Sequence, residues 1–136
     1  EEDGWDDDGF DDFDNQISYP TLTAFDKGGI KVLFDFEKPE PDAFVTIVNA
    51  TYRNATADDL MAFTCKVAVP KYLKVTMGPP SSAVLRGSGG AITQTMNVTN
   101  GQRGQKPLKM RLVLEYKKNG ETVSEQQDVT DFPKEL

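Results

Sequence analysis

The chain has 136 residues, of which 38% are hydrophobic and 27% are charged, a composition that suits one globular domain with a core. Its net charge of -7 argues against nucleic acid as a partner, because an acidic chain offers no extended row of cations for phosphates. No apolar run approaches the ~20 residues that a membrane-spanning helix needs.

Most of the excess acidity lies in residues 1–14, which contain nine Asp and Glu residues and no base. This segment has no Val, Ile or Leu, so it cannot bury enough apolar surface to offset the entropy of ordering, and alone we expect it to be disordered. Trp5, Phe10 and Phe13 are unusual in a merely solvating tail. We expect residues 15–20 to form a linker and residues 21–136 to form the folded domain.

The body of the chain shows the pattern of β-strands. Gly28-Gly29 predicts a turn, and residues 30–36 follow with apolar side chains at every second position, which places those side chains on one face of a strand. Asn119-Gly120 is a strong hairpin signal, because both positions of the tight turn need positive φ. Further strands are predicted over residues 44–52, 61–69, 72–77, 91–99, 109–118 and 121–129.

The strands are short, Gly and Pro separate them, and no long segment has the 3.6-residue period of an amphipathic helix. This pattern predicts an all-β fold, an immunoglobulin-like antiparallel β-sandwich of about seven or eight strands.

The residue types that carry most enzyme chemistry are scarce. There is no histidine and only one cysteine, which excludes Ser-His and Cys-His nucleophile pairs and Cys- or His-based zinc sites. The Asp-rich tail fails as a calcium loop, since Gly4 falls where the first Asp belongs and Asn15 where the final Glu belongs. Asp58-Asp59 lies in a predicted loop, where a turn role is expected. We therefore expect no catalytic, metal or cofactor site.

Two observations on the compartment oppose each other. Cys65 is the only cysteine, so no intrachain disulfide can form, and this favours a reducing compartment. Glycosylation sequons begin at Asn49, Asn54 and Asn97 and favour the alternative, a secreted or cell-surface glycosylated immunoglobulin-like binding domain.

Four short motifs follow one another along the body. They are Ala68-Val69-Pro70-Lys71, Gly89-Gly90-Ala91-Ile92-Thr93-Gln94, Lys106-Pro107-Leu108-Lys109-Met110-Arg111-Leu112 and Asp131-Phe132-Pro133. In this order and spacing they resemble the ear domain at the C-terminus of the gamma subunit of the clathrin adaptor complex AP-1. The monomeric GGA adaptors carry a related ear. The resemblance covers about residues 18 to 134. Gly87-Ser88-Gly89-Gly90, followed later by Val98-Thr99-Asn100 and the Lys106-Pro107-Leu108 run, favours gamma-adaptin over GGA.

The resemblance implies a non-enzymatic module that binds short acidic-aromatic peptides of clathrin-coat accessory proteins. It implies a cytoplasmic location, peripheral on trans-Golgi network and endosomal membranes and on coated vesicles, with the rest of the adaptor complex and the clathrin coat as further partners. The pocket positions of the family fall on Ala68, Met77 and Pro80. Its basic positions fall on Lys71, Lys109 and Arg111.

The run from Lys109 to Leu112 is compatible with such a site. A strand would place Lys109 and Arg111 on one face and Met110 and Leu112 on the other, so that two cations could attract an acidic peptide. Lys109 stands where metazoan members of the family commonly have arginine. A lysine keeps the charge and loses the planar fork that makes bidentate contacts.

The acidic tail resembles the ligands of such ears, which present two bulky apolar residues three apart, with acids around them and often a glycine between them. Phe10 and Phe13 have this spacing, and Trp5 is a candidate third anchor. Asp11 occupies the place of the glycine. We therefore expect residues 1–14 to act as an ear ligand, for this chain or for a neighbouring copy, whether they are a native hinge segment or a joined partner peptide.

Overall fold

A computed structural model describes residues 19–40, 43–134 and 136. Within this part of the chain there are eight strands and no helix. The strands are β1 (Leu22–Lys27), β2 (Ile30–Glu37), β3 (Val45–Asn54), β4 (Met61–Ala68), β5 (Leu73–Met77), β6 (Gly90–Asn100), β7 (Met110–Lys118) and β8 (Glu121–Val129). The described residues therefore include no long apolar helix that could cross a membrane.

The strands form two antiparallel sheets, one of five strands in the order β1-β2-β3-β6-β5 and one of three in the order β4-β7-β8. The two sheets face each other as an immunoglobulin-like sandwich, as the sequence pattern predicts. The strands from 44 to 129 are confirmed within a few residues, and β1 is an additional strand that pairs with β2.

Alternation along the strands explains the core. In β2, Ile30, Val32, Phe34 and Phe36 are between 0% and 7% exposed, while the residues between them lie outward. Since side chains alternate across the pleat, this places every second side chain between the sheets. The predicted shared face of β2 is confirmed.

Two tight turns have the backbone that their residues favour. Gly28 and Gly29 join β1 to β2 with φ of 63° and 84°, and Asn119 and Gly120 join β7 to β8 with φ of 53° and 83°. Positive φ costs little at Gly and is tolerated by Asn. The second turn makes Lys118 the partner of Glu121, and this fixes the register of the whole hairpin.

Aromatic side chains join the two layers. Phe63 of β4 lies 5.2 Å from the ring of Tyr52 in β3 and 6.1 Å from the ring of Tyr116 in β7, measured between ring centroids. Phe132, which follows β8, contacts Phe34 and Phe36 of β2 at 6.1 Å and 5.8 Å. The larger sheet is therefore anchored to the smaller one near both ends of the sandwich.

Strand β4 is an edge of the smaller sheet and is irregular where it begins. Its register with β7 shifts between Met61 and Thr64, and Ala62 has a φ of 50°, the signature of a bulge. The amide of Phe63 donates to the carbonyl of Ala83 at 2.8 Å, so a loop covers this part of the edge. The rest of β4, towards Ala68, borders the surface described next.

Candidate functional site

A groove of about 370 Å³ opens beside the end of β4, and we call it the β4 groove. Its size is within the range of ligand sites in proteins. Its lining residues come from β4 and the segment after it, from the start of β7 and from the end of β8. They are Ala68, Val69, Pro70, Lys109, Met110, Arg111, Asp128 and Thr130.

Strand register explains why these residues meet. Ala68 of β4 is the partner of Arg111 in β7, and Arg111 is the partner of Asp128 in β8. The three side chains therefore form a row across the outer face of the smaller sheet, where all three are exposed. Lys109 and Thr130 lie two residues from Arg111 and Asp128, at the same side of the sheet.

The β4 groove carries two cationic side chains, Lys109 and Arg111, and one carboxylate, Asp128. Arg111 Nε donates to Asp128 Oδ1 at 2.7 Å, and this hydrogen bond raises the pKa of Arg111 and lowers the pKa of Asp128. Lys109 is exposed and forms no ion pair within the described part of the chain. The groove thus presents one cation that is already paired and one that is not, above the apolar wall of Val69 and Pro70.

The six residues that the resemblance assigned to the site divide between several places. Ala68, Lys109 and Arg111 line the β4 groove together. Lys71 is exposed in the turn that follows Pro70, where the amide of Leu73 donates to the Pro70 carbonyl at 3.0 Å. Lys71 is therefore next to the groove without lining it.

Met77 and Pro80 do not line the β4 groove. Met77 ends β5, is half-buried and packs against the core. Pro80 lines a separate cavity of about 160 Å³, the cysteine cavity. The cysteine cavity is lined by Tyr52, Phe63, Thr64, Cys65, Pro80 and Gln94.

The cysteine cavity holds a protonated thiol. Burial raises the pKa of Cys65 to about 11, against a hydrogen bond with Tyr52 that lowers it. The Tyr52 hydroxyl donates to Gln94 Oε1 at 2.8 Å, and burial raises the pKa of that hydroxyl too. A thiol that stays protonated near neutral pH is a poor nucleophile, so Cys65 is not expected to react. The cavity combines the apolar side chains of Phe63 and Pro80 with the polar side chains of Thr64 and Gln94.

Several residues of the β4 groove were not anticipated from the sequence. Val69 and Pro70 belong to a motif that the resemblance used, but no site role was assigned to them. Asp128 could have been found from the hairpin, because a two-residue Asn119-Gly120 turn pairs Lys118 with Glu121 and, seven residues on, Arg111 with Asp128. Thr130 lies beyond the end of β8, so the pairing of the hairpin does not predict its position.

Other polar groups have structural roles. Asp59 Oδ1 accepts a hydrogen bond from the Gly87 amide at 2.8 Å, and Asp58 lies 3.6 Å from the Lys118 ammonium. Among the described residues no group of three or more acidic or cysteine side chains could hold a metal ion. Asn54 is fully buried, and its amide nitrogen donates to the carbonyls of Asp58 and Leu85 at 2.7 and 3.1 Å, so a glycan on this side chain is incompatible with the fold.

The three candidate ligand residues, Trp5, Phe10 and Phe13, lie outside the described residues. Their role therefore stays a prediction, as does the division into a 1–14 segment, a 15–20 linker and a 21–136 domain. The described chain begins at Tyr19, whose ring contacts Phe36 edge to face at 6.4 Å.

The fold and the groove together define an all-β sandwich with an open cationic groove on the outer face of its smaller sheet. Two solved yeast structures share this fold, and they are the GAE domains of GGA1 (TM-score 0.73) and of GGA2p from Saccharomyces cerevisiae (TM-score 0.70). At 19% identity each covers most of both chains, 82% of this chain and 97% of the other for the first, and 85% and 98% for the second. These likenesses bear on the fold alone.

Residues 20–133 match the adaptin C-terminal domain, and the chain belongs to this family. It is 39% identical over 123 residues to AP-1 complex subunit gamma-1 of Arabidopsis thaliana and 36% identical over 115 residues to AP-1 complex subunit gamma of Dictyostelium discoideum. These alignments cover 90% and 83% of this chain. They span only 14% and 12% of those relatives, so the chain corresponds to a small part of each.

Proposed function

We propose that this chain is the peptide-recruiting ear of a clathrin adaptor subunit and that the β4 groove is its ligand site. It is a binding module without catalytic activity. Its ligands are short acidic-aromatic segments of clathrin-coat accessory proteins, and it works in the cytoplasm at trans-Golgi network and endosomal membranes. The observation that carries the proposal is the β4 groove itself, which combines an apolar wall with two exposed cations, Lys109 and Arg111, at positions that the family resemblance assigned.

The groove suits a ligand that is both apolar and acidic. Val69 and Pro70 are half-buried and offer apolar surface to a bulky side chain. Lys109 and Arg111 stand beside that surface on the exposed side of β7. A carboxylate next to a bulky apolar anchor would form charge-assisted hydrogen bonds with them, which are stronger than neutral ones.

The spacing of two anchors in a ligand fits the spacing of two recesses along β4. Ala68 borders the β4 groove and Cys65 borders the cysteine cavity. They are three positions apart on the strand, or about 10 Å, and their side chains point to opposite faces of it, as side chains three apart in an extended peptide also do. Two side chains three residues apart in an extended peptide, such as Phe10 and Phe13, are separated by about the same distance. Pro80 lines the cysteine cavity and is part of the proposed site for that reason.

The acidic segment of the chain itself is a ligand of this kind under the proposal, with Phe10 and Phe13 as anchors and Trp5 as a third. Tyr19 lies against Phe36, and Phe36 lies against Phe132, three residues after Val129 ends β8. Phe13 and Tyr19 are six positions apart, a stretch that can span about 20 Å when extended. With this reach, the segment is proposed to bind the β4 groove of its own chain or of another copy.

The test uses a receptor whose own tail cannot compete. In this silenced chain, Trp5, Phe10 and Phe13 are changed to Ala and the nine acids of residues 1–14 to Asn or Gln. Calorimetry then measures the binding of a separate peptide of residues 1–14. We expect Arg111→Glu and Lys71→Glu in the receptor, and Phe10→Ala or Phe13→Ala in the peptide, each to weaken binding by about tenfold or more.

Lys117→Glu in the silenced chain is the matched control, because Lys117 is also exposed on β7 and lies at the end of the strand away from Lys109. It makes the same charge change and should alter the affinity by less than about twofold once salt screens distant charges. Unchanged affinity in all four variants, or a loss with Lys117→Glu equal to that with Arg111→Glu, contradicts the proposal.

A further inference from the structure

A second groove, of about 500 Å³, adjoins the β4 groove, and we call it the end groove. It is lined by Gly104, Gln105, Lys106, Pro107, Thr130, Asp131, Phe132 and Lys134. Thr130 lines both grooves, so they meet at one residue. Building on the proposed function, we propose that the end groove is a second subsite, which takes the acidic residues that flank the apolar anchors of the same bound peptide.

The two walls of the end groove are fixed by one buried side chain. One wall is the loop before β7 and the other is the segment after β8. Asn100 is fully buried, and its amide nitrogen donates to the Lys106 carbonyl at 2.9 Å and to the Leu136 carbonyl at 3.1 Å. Since the amide binds backbone on both sides, the opening is set before any ligand arrives, which lowers the entropy lost on binding.

Tyr72 positions the loop wall further. Its hydroxyl donates to the Pro107 carbonyl at 2.6 Å, and the Lys106 ammonium lies 5.2 Å from the centroid of its ring. A cation over a ring face is held there by the ring quadrupole. The Lys106 charge is thereby placed beside the groove, whereas a free lysine side chain would sample many rotamers.

The charges around the end groove favour an anionic ligand. Lys106 and Lys134 line it, Asp131 is the one carboxylate side chain among its described lining residues, and neither lysine forms an ion pair among residues 19–40, 43–134 and 136. In the adjoining groove Lys109 is likewise without a carboxylate partner in that range. The two adjoining grooves therefore carry three lysine ammonium groups without a carboxylate partner in the described part of the chain, a charge that suits a run of carboxylates.

The ligand with this chemistry is an acidic stretch of a peptide that is already anchored. The floor includes the buried ring of Phe132 and the exposed ring of Pro107, so the groove also offers apolar surface to a backbone. Anchoring in the β4 groove would hold the flanking residues at an effective concentration of about millimolar, at which weak exposed ion pairs become occupied. Inorganic anions lack this tether and should bind more weakly.

The experiment compares matched peptides on the silenced chain. The first probe is the peptide of residues 1–14. The second is the same peptide with the five acids before Asp8 neutralised, Glu1→Gln, Glu2→Gln, Asp3→Asn, Asp6→Asn and Asp7→Asn, so that Trp5 and both anchors remain. The third carries residues 8–14 followed by residues 1–7, which places the acidic flank on the other side of the anchors.

The receptor variants are Lys106→Ala with Lys134→Ala, and a control that removes two lysines elsewhere, Lys31→Ala with Lys117→Ala. Lys31 is at the end of β2 away from Phe36, and Lys117 is at the end of β7 away from Lys109. All four side chains are exposed, so folding should be unaffected, as thermal unfolding will check.

We expect the Lys106 and Lys134 double variant to weaken the first or the third probe by about fivefold to tenfold, as the loss of two exposed charge-assisted contacts predicts. The second probe should lose less than about twofold, and the control variant should change none of the three. Whichever of the first and third probes is affected reports the direction of the bound peptide.

A loss for the second probe equal to that for the more affected of the first and third probes, or no loss for either of those two, overturns the end groove as an acidic subsite. Such a result leaves the β4 groove intact provided that Arg111→Glu still weakens all three probes. If the proposed function itself is wrong, Arg111→Glu has no effect on any probe, and this result distinguishes its failure from failure of the end groove alone. The tethered subsite would also be overturned if saturating inorganic phosphate displaced the first probe as effectively as the same concentration of the second probe does.

Discussion

Arg111 is shared between its own sheet and any ligand in the β4 groove. Its side chain is 53% exposed, and its guanidinium donates to Asp128 Oδ1 at 2.7 Å. A planar guanidinium has five N–H donors, so the contact with Asp128 orients it and leaves other donors for a carboxylate of a peptide. Asp128 therefore both positions Arg111 and opposes an acidic ligand by its own charge.

Replacing Asp128 by Asn separates these two effects. The hydrogen bond from Arg111 lowers the pKa of Asp128, so the carboxylate is charged at neutral pH and repels acidic ligands there. We expect Asp128→Asn in the silenced chain to tighten binding of the 1–14 peptide by about twofold to fivefold at pH 7 and low salt, since the amide can still accept from Arg111.

Calorimetry at two salt concentrations checks this expectation, and the gain should shrink as salt screens the charge. Asp35→Asn, on the outer face of β2, is the control and should have no effect. Weaker binding of Asp128→Asn would mean that the charge of Asp128 matters more for holding Arg111 than for repelling the ligand.

At the scale of the strand, buried asparagines end two neighbouring interior strands of the larger sheet, β3 and β6. Asn54 is the last residue of β3 and Asn100 is the last residue of β6, and both are fully buried. Each donates to two backbone carbonyls and accepts from a backbone amide two residues on, Thr56 or Gln102, at 2.9 and 2.8 Å. A side chain that satisfies backbone groups of a departing loop fixes where the strand stops and how the loop leaves it.

We expect Asn100→Ala to lower the free energy of unfolding by about 2 to 3 kcal/mol, because the carbonyls of Lys106 and Leu136 would lose their donor. Urea unfolding measures the change. Asn97→Ala, in the same strand but exposed, is the matched control and should cost less than about 0.5 kcal/mol.

A further readout follows from the place of Asn100. The variant should loosen the end groove more than the β4 groove, so the acid-neutralised peptide should bind it nearly as well as it binds the parent. Equal losses of stability for Asn97→Ala and Asn100→Ala would show that the two carbonyls find water or other donors instead.

At the scale of the whole molecule, the segment after β8 joins the two sheets. Phe132 is 4% exposed and lies against Phe34 and Phe36, which belong to the opposite sheet. Leu136 is fully buried as well. The end of the sandwich that carries the end groove is thus closed by residues that follow the last strand, and the groove depends on that closure.

We expect Phe132→Ala to destabilise the fold by about 3 to 5 kcal/mol, the usual cost of truncating a buried aromatic side chain. Thermal and urea unfolding measure it, with Phe132→Leu as a milder variant if the first fails to fold. Phe44→Ala is the control, since Phe44 is 57% exposed and its truncation should cost little. Similar costs for Phe132→Leu and Phe44→Ala would contradict the closing role of Phe132.

Much of the fold could be predicted because it depends on local pattern. Alternation in residues 30–36 identified the buried face of β2, and Asn119-Gly120 identified the hairpin of β7 and β8. Three of the six proposed site residues, Ala68, Lys109 and Arg111, meet in one groove. The sequence could not predict that Met77 and Pro80 lie outside this groove, because their position depends on which sheet each strand joins.

The sequence by itself determined the class of fold, the absence of histidine chemistry and the face of β7 that carries Lys109 and Arg111, since side-chain alternation and composition are properties of short stretches. Only the tertiary structure decided that β4 pairs with β7, which brings Ala68 next to Arg111. It also decided that residues 104–107 and 130–134 form the two walls of one groove around Asn100. Such pairings join residues far apart in the chain, and they are fixed by how two sheets bury their apolar faces against each other, a property that no single segment carries.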